Sequence, residues 1–202
     1  MNAMFDVICS AVIGGIVLFM IVGFNSTIVE KAGAQTIEVI AQSNLSEVIN
    51  ILEYDFKKIG YRMSGPPDSS IMFADSNKIR FVGDFRNVGS IDTLIYAFDT
   101  TTASGKANPK AHILKRTSIT QGSSTRSTES INLGITRFKL WYYRAKDTLL
   151  AASPTSRPSQ IKSLKVAINI ESTEPYKQTT MPYLKLNPGV YWERTIKPKN
   201  LR

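Results

Sequence analysis

Between Val7 and Phe24 the chain reads VICSAVIGGIVLFMIVGF, eighteen residues with no charge and only Cys9 and Ser10 mildly polar. As a helix this run is about 27 Å long, close to the thickness of a bilayer's hydrocarbon core. A cleaved secretory signal carries a basic stretch ahead of its apolar run, and none precedes this one. The small residues Ala32-Gly33-Ala34 that would suit cleavage lie well beyond it. A core helix this uniformly apolar is rare in so small a domain. The pattern therefore predicts a retained membrane-spanning helix. Lys31 is the first basic residue after the run, so flanking charge does not orient it.

The periodicity then changes without a break. Ile37, Ile40, Ala41, Leu45, Val48, Leu52, Phe56 and Ile59 recur every three or four residues, which is one face of a helix. Glu38, Gln42, Glu47 and Asn50 fill much of the rest. Glu53 and Lys57 form an i,i+4 pair in the favoured order, and Asp55 and Lys58 an i,i+3 pair. Gly60 is a plausible stop, with Pro66 and Pro67 beyond. One helix from Met4 to Ile59 would be about 84 Å long. A mean helix has about 11–12 residues, so this length asks for a membrane, a coiled coil or a filament. Leu45, Val48, Leu52, Phe56 and Ile59 are expected to pack on the rest of the chain.

Beyond that point the period falls to two. Ser163–Glu171 alternates Leu164, Val166, Ile168 and Ile170 against Lys165, Asn169 and Glu171. Ile135–Arg144 does the same with Phe138 one step out of phase. Lys78–Gly83 follows a turn at Asp75-Ser76-Asn77, with Ile71–Phe73 as hairpin partner. Ile91–Phe98 and Ala111–Ile119 read as a second antiparallel pair, and Gly189–Ile196 as a last strand. One-face alternation predicts an antiparallel sheet with one side buried, and the amphipathic helix is the element to cover it. Asp99–Ala111, Thr120–Ser130 and Ala151–Gln160 are low in complexity and read as exposed loops. The expected class is α+β, with residues 1–25 the transmembrane half of the helix, 26–62 its amphipathic half and 63–202 a β-rich head.

Composition narrows the chemistry. The 202 residues carry a net charge of +9, with one Cys and one His. Residues 1–62 sum to −2 and residues 63–202 to +11. A single Cys closes no internal disulfide, and Cys9 with His112 leaves a zinc site two ligands short. Phosphate-cradling, dinucleotide, metalloprotease and nucleophile-elbow motifs are absent. His112 has no identifiable catalytic partner, and Cys9 reads as a small hydrophobe within the span. No enzyme activity, cofactor or metal is expected. The basic head could hold an acidic partner or nucleic acid: RFKLWYYR, residues 137–144, interleaves bases and rings as single-strand binders do, although a basic solvent face gives the same string. Asp6 stands at the edge of the span, where a carboxylate needs a partner. Ser10 with Gly14, and Gly15 after it, offer a small-residue face for close helix contact.

Four stretches resemble the type IV pilin and pseudopilin superfamily, specifically minor pseudopilins of the J type in type II secretion and PilW-like minor pilins. Ile51–Tyr61, ILEYDFKKIGY, is similar to the family's helix-ending pattern. Leu94-Ile-Tyr96 with Leu114-Lys-Arg116 resembles its central strand pair. Ile131–Tyr143 resembles its loop followed by an aromatic strand, and Gln160–Ile170 with Tyr191–Leu201 its closing strands. Aligning Ala11-Val-Ile-Gly14 with the family's Ala-Ile-Ile-Gly makes Met1 the first mature residue and puts Phe5 at the family's acidic fifth place. Counting from Asn2 puts Asp6 there instead. Either Asp6 replaces the family's Glu or this subunit lacks it.

The resemblance implies a long helix, half in the inner membrane and half on a β head outside the cytoplasm. It implies a structural tip or initiation subunit whose partners are lipid and other pilin-like subunits, met through Asp6, Ser10, Gly14 and Gly15. The alternative is a membrane-anchored periplasmic binding module whose basic head holds DNA or another acidic partner.

Overall fold

In the computed structural model, residues 2–63, 70–122, 125–150, 157–174, 176–177, 185–186 and 188–201 are described. The expectations that touch Met1, Pro66-Pro67 and residues 151–156 fall outside them. A single helix, α1 (Asn2–Lys57), runs unbroken for 56 residues through both the uniformly apolar and the amphipathic stretch. Its stop is at Gly60, which takes φ +71°, the left-handed conformation that glycine reaches without a Cβ clash. The Gly60 amide then donates to the Val82 carbonyl, so the end of the helix is tied directly to the sheet.

The sheet is antiparallel throughout. Its strands are β1 (Ile71–Ala74), β2 (Lys78–Gly83), β3 (Asp92–Ala103), β4 (His112–Ile119), β5 (Arg126–Arg144), β6 (Thr148–Leu149), β7 (Ser163–Glu171) and β10 (Gly189–Ile196). The order across it is β1-β2-β3-β4-β5-β7-β10, with β6 paired to the end of β5. A separate small hairpin of β8 (Tyr176–Lys177) and β9 (Lys185–Leu186) sits between β7 and β10 in the chain.

The buried face of the sheet meets the buried face of the helix. Leu45, Val48, Leu52, Phe56 and Ile59 share one core with Phe81, Tyr96, Leu114, Phe138, Val166 and Ile168. Each such side chain contributes roughly 1.5–3 kcal/mol of burial. Phe56 stands edge-on to both Phe81 and Tyr96, with ring centroids 5.5 and 5.4 Å away.

Several boundaries differ from the sequence reading. The stripe does not extend to Ile40, which is exposed; Ile37 is half-buried and the first fully buried position is Ala41. β5 begins at Arg126, so part of the Ser/Thr-rich stretch expected as a loop is strand, paired with β4 through the Ser118↔Ser127 and Thr117↔Thr128 register. β3 likewise runs on to Ala103. Phe138 is out of phase because β5 carries a bulge: Ile135 faces Ile170 but Arg137 already faces Asn169.

Candidate functional site

Among the described residues one helix is long and apolar enough to span a membrane, and none of its apolar window is buried. Met4, Phe5, Ile13, Leu18, Phe19 and Phe24 all stand open. Asp6, Ser10 and Gly14 lie four apart and so share one face. Ser10 Oγ donates to the carbonyls of Asp6 (2.9 Å) and Val7 (3.0 Å). Its hydroxyl is thus satisfied within its own turn and presents only a small outline. A Cβ built on Gly14 or Gly15 meets nothing within 4 Å. Cys9 is exposed as a free thiol. The exposed apolar surface also outlasts the span: Ile28, Val29, Val39 and Ile40 are uncovered.

Within the apolar contact between this rod and the head lies a buried charge on the helix. Asp55 is 1% exposed and lies on the apolar stripe between Leu52 and Ile59. Arg116 Nε donates to Asp55 Oδ2 at 2.7 Å and Nη2 to Oδ1 at 3.3 Å. Tyr96 Oη donates to Oδ2 at 2.5 Å. Tyr96 and Arg116 are direct cross-strand partners on β3 and β4, so one register brings both donors to one carboxylate. Arg116 Nη1 reaches on to Glu129 on β5 at 3.1 Å. Burial, then the Asp55 charge and hydrogen bond, push the Tyr96 phenol far above its ordinary range. Burial opposes the Arg116 charge, but the hydrogen bonds and charge of Asp55 outweigh it and raise its pKa. The expected Asp55–Lys58 pair is therefore not made: Lys58 Nζ donates to Tyr54 Oη, the Phe85 carbonyl and Asn87 Oδ1.

Two further ties hold the helix end. Glu53 accepts from Lys57 and, across to β10, from Arg194 at 2.6 Å; the Lys57 bond first, then Arg194, hold its carboxyl below 4.5 against burial. Asp84 accepts from the Gly89 and Val88 amides and from Arg62 Nη1. Burial would raise its carboxyl, but these donors, Gly89 foremost, hold it below 3.8. Arg62 sits at φ 56°, in the left-handed region.

The side of the sheet away from the helix is basic and aromatic. Arg137, Lys139, Trp141 and Tyr143 of β5 face outward, beside Lys165 of β7 and Tyr191, Glu193 and Thr195 of β10. The amines of Lys139 and Lys165 each lie 5.3 Å from the Trp141 ring centroid. His112 is half-buried, edge-on to Phe98. No group of three or more potential metal-binding side chains occurs among the described residues.

The sequence reading grouped Leu45, Val48, Leu52, Phe56 and Ile59 on one face, and all five are buried. It missed the Asp55–Tyr96–Arg116 cluster as a site. The signal was present: Val48, Leu52, Asp55 and Ile59 follow steps of four, three and four, so the carboxylate occupies a stripe position and needs a buried donor. The chain matches no protein-family model and no curated protein.

Proposed function

We propose that this chain is a non-enzymatic filament subunit of the type IV pilin kind, a minor pilin or pseudopilin acting at a tip or in initiation. One observation carries the reading: the apolar half of α1 is wholly uncovered, yet it belongs to the same unbroken helix that from Ala41 onward lays one face into the head. An isolated anchor needs only the span. Here apolar side chains continue past it, at Ile28, Val29, Val39 and Ile40, where lipid no longer covers them. Neighbouring helices of like subunits would cover both stretches.

In this mechanism the subunit waits in the bacterial inner membrane with its head in the periplasm. It is then drawn into a bundle in which helix contact replaces lipid contact. The Ser10–Gly14 face allows close approach, and Asp6, on that same face, pairs with a cationic group of a neighbour such as its terminal amine. Asp55, Tyr96 and Arg116 keep head and rod rigid relative to each other, so that pulling on one moves the other.

The test is affinity isolation of the full chain from detergent-solubilised membranes of its native cells. Other subunits with long apolar N-terminal helices should co-purify, and Gly14→Leu with Gly15→Leu should reduce that recovery at least several-fold. The head's melting temperature should not change. Recovery of the chain alone, or an unchanged yield from the leucine variant, counts against the filament. A second reading, a membrane-anchored binding module, is favoured by the placement of charge. Residues 1–136 hold 12 basic and 12 acidic residues, so the whole net charge lies in residues 137–202, with 13 basic against 4 acidic.

A further inference from the structure

The excess positive charge of residues 137–202 has a definite place in the fold, one that the filament reading does not use. β5 ends at Arg144, β7 begins at Ser163 and β10 ends at Ile196, all at one end of the sheet. Two adjoining cavities open there. One, of about 370 Å³, is lined by Arg144, Lys146, Lys162 and Lys197; the other, of about 430 Å³, by Tyr143, Lys165, Arg194 and Thr195. Asp147 lines both cavities and Glu193 the second. Each of these acids is held by a lysine, Asp147 by Lys197 at 3.0 Å and Glu193 by Lys165 at 2.5 Å. Arg144 and Lys146 are exposed.

This end is the one remote from the membrane. Arg194 bonds Glu53, near the end of α1, whereas the opposite end of the sheet meets the helix at Asn44, which donates to the Leu133 carbonyl. Glu53 lies 29 residues beyond Phe24, about 44 Å along the helix axis. At physiological salt charges are screened over about 8 Å, so the headgroups of the host bilayer do not reach it.

The outer face runs from this basic end toward the membrane as a track of two rings followed by two cations. Tyr143 and Trp141, then Lys139 and Arg137, follow at every second residue of β5, spaced about 6.8 Å apart. Tyr191, 53% exposed, lies level with Arg137 on β10, across β7 from it. The carboxylates of an acidic protein would pair with the charges but do not themselves stack on rings. A duplex would offer phosphates to the cations, but its paired and stacked bases are closed to the rings, and this sheet face carries no helix or ribbon to enter a groove. Unpaired bases use both components, rings for stacking and cations for phosphates.

We propose that the outer face of β5, β7 and β10 binds single-stranded nucleic acid. Arg144, Lys146, Lys165 and Lys197 take phosphates, and Tyr143, Trp141 and Tyr191 take bases. Glu193 lies within the track and occupies Lys165, so it acts as a built-in competitor for phosphate.

The test uses the full chain in nanodiscs of neutral phosphatidylcholine and a fluorescein-labelled thymidine 20-mer, followed by anisotropy from 50 to 300 mM KCl. Binding should weaken with salt. Arg144→Ala, Lys146→Ala and Lys197→Ala together should make the log–log slope shallower by about 2, since each single-strand phosphate contact contributes about 0.7. Tyr143→Ala with Tyr191→Ala should raise Kd by at least about fivefold at unchanged slope, the order expected for lost stacking. Glu193→Gln should tighten binding. Thermal melts of each variant establish that the head stays folded. Absence of binding at 50 mM KCl overturns the proposal, as do tyrosine variants that bind like the parent. Equal affinity for a duplex of the same length overturns it too. Displacement by polyglutamate at equal charge concentration would reassign the surface to an acidic protein.

Discussion

Asp55 is the charge that the helix buries in its joint with the head. It is a buried carboxylate satisfied by three hydrogen bonds from two donors, so removing it leaves Arg116 and the Tyr96 hydroxyl facing an empty place. Breaking one side of a buried ion pair costs about 3–5 kcal/mol. Asp55→Ala should fall near the lower figure, because Glu129 still pairs with Arg116. Tyr96→Phe removes one hydrogen bond to a charged acceptor and should cost about 1.5–3 kcal/mol. Urea unfolding of the two variants checks both size and order; a Tyr96→Phe loss larger than that of Asp55→Ala would mean the cluster is not built around the carboxylate. Glu53 and Asp84 are held below their ordinary 4.5 and 3.8 by the donors around them. A carboxyl depressed in the folded state stabilises fully above its unfolded value and loses that stabilisation as pH falls through the folded value. The urea midpoint should therefore drop as pH falls below about 4.5, and the drop should be shallower in Asp84→Asn.

At the level of elements, the sequence was most legible where one period repeats for long enough. The apolar run and the stripe from Ala41 to Ile59 needed no tertiary information, because 3.6-residue spacing alone puts them on one face. β7, with four inward aliphatics in strict alternation, was equally plain, and its bounds agree. The start of β5 was not legible. Arg126–Ser130 has loop-like composition, and it becomes strand because β4 supplies a partner, down to a Thr117–Thr128 hydroxyl contact at 3.0 Å. The bulge that puts Phe138 inward is also a tertiary feature. It comes just after Gly134, which sits at φ +82° where a Cβ would run into the Glu171 carbonyl oxygen. Backbone conformation and close approach each exclude a side chain there. Gly134→Ala should cost at least about 1–3 kcal/mol, the range for a strained backbone site, read from thermal melts. A neutral result would mean that β5 and β7 can re-register. The β8–β9 hairpin left no periodic trace because its strands have two residues each.

As a whole the molecule divides its stability and its greasy surface between two halves of one helix. Among the described residues every buried apolar position lies at Ala41 or later, so nothing N-terminal to it contributes a fully buried side chain to the core. Conversely, the uncovered run up to Phe24, apolar enough to span a membrane, lies wholly N-terminal to the core. These facts predict that deleting residues 1–28 separates the two properties. The shortened chain should leave the membrane fraction and melt within about 3 °C of the full chain in the same detergent, a shift no larger than about 1 kcal/mol produces in a domain of this size. It should also still self-associate as its concentration rises, because Val29, Val39 and Ile40 remain exposed on the retained part of α1; Val39 alone is 62% uncovered. Ile40→Asp with Val39→Asp should abolish that association, measured by sedimentation velocity, without moving the melt, since neither side chain touches the core. If the shortened chain instead melts far lower, residues 2–28 are part of the head's core. If it stays monomeric at all concentrations, the exposed stretch beyond the span is not a subunit contact, and the rod serves only as an anchor.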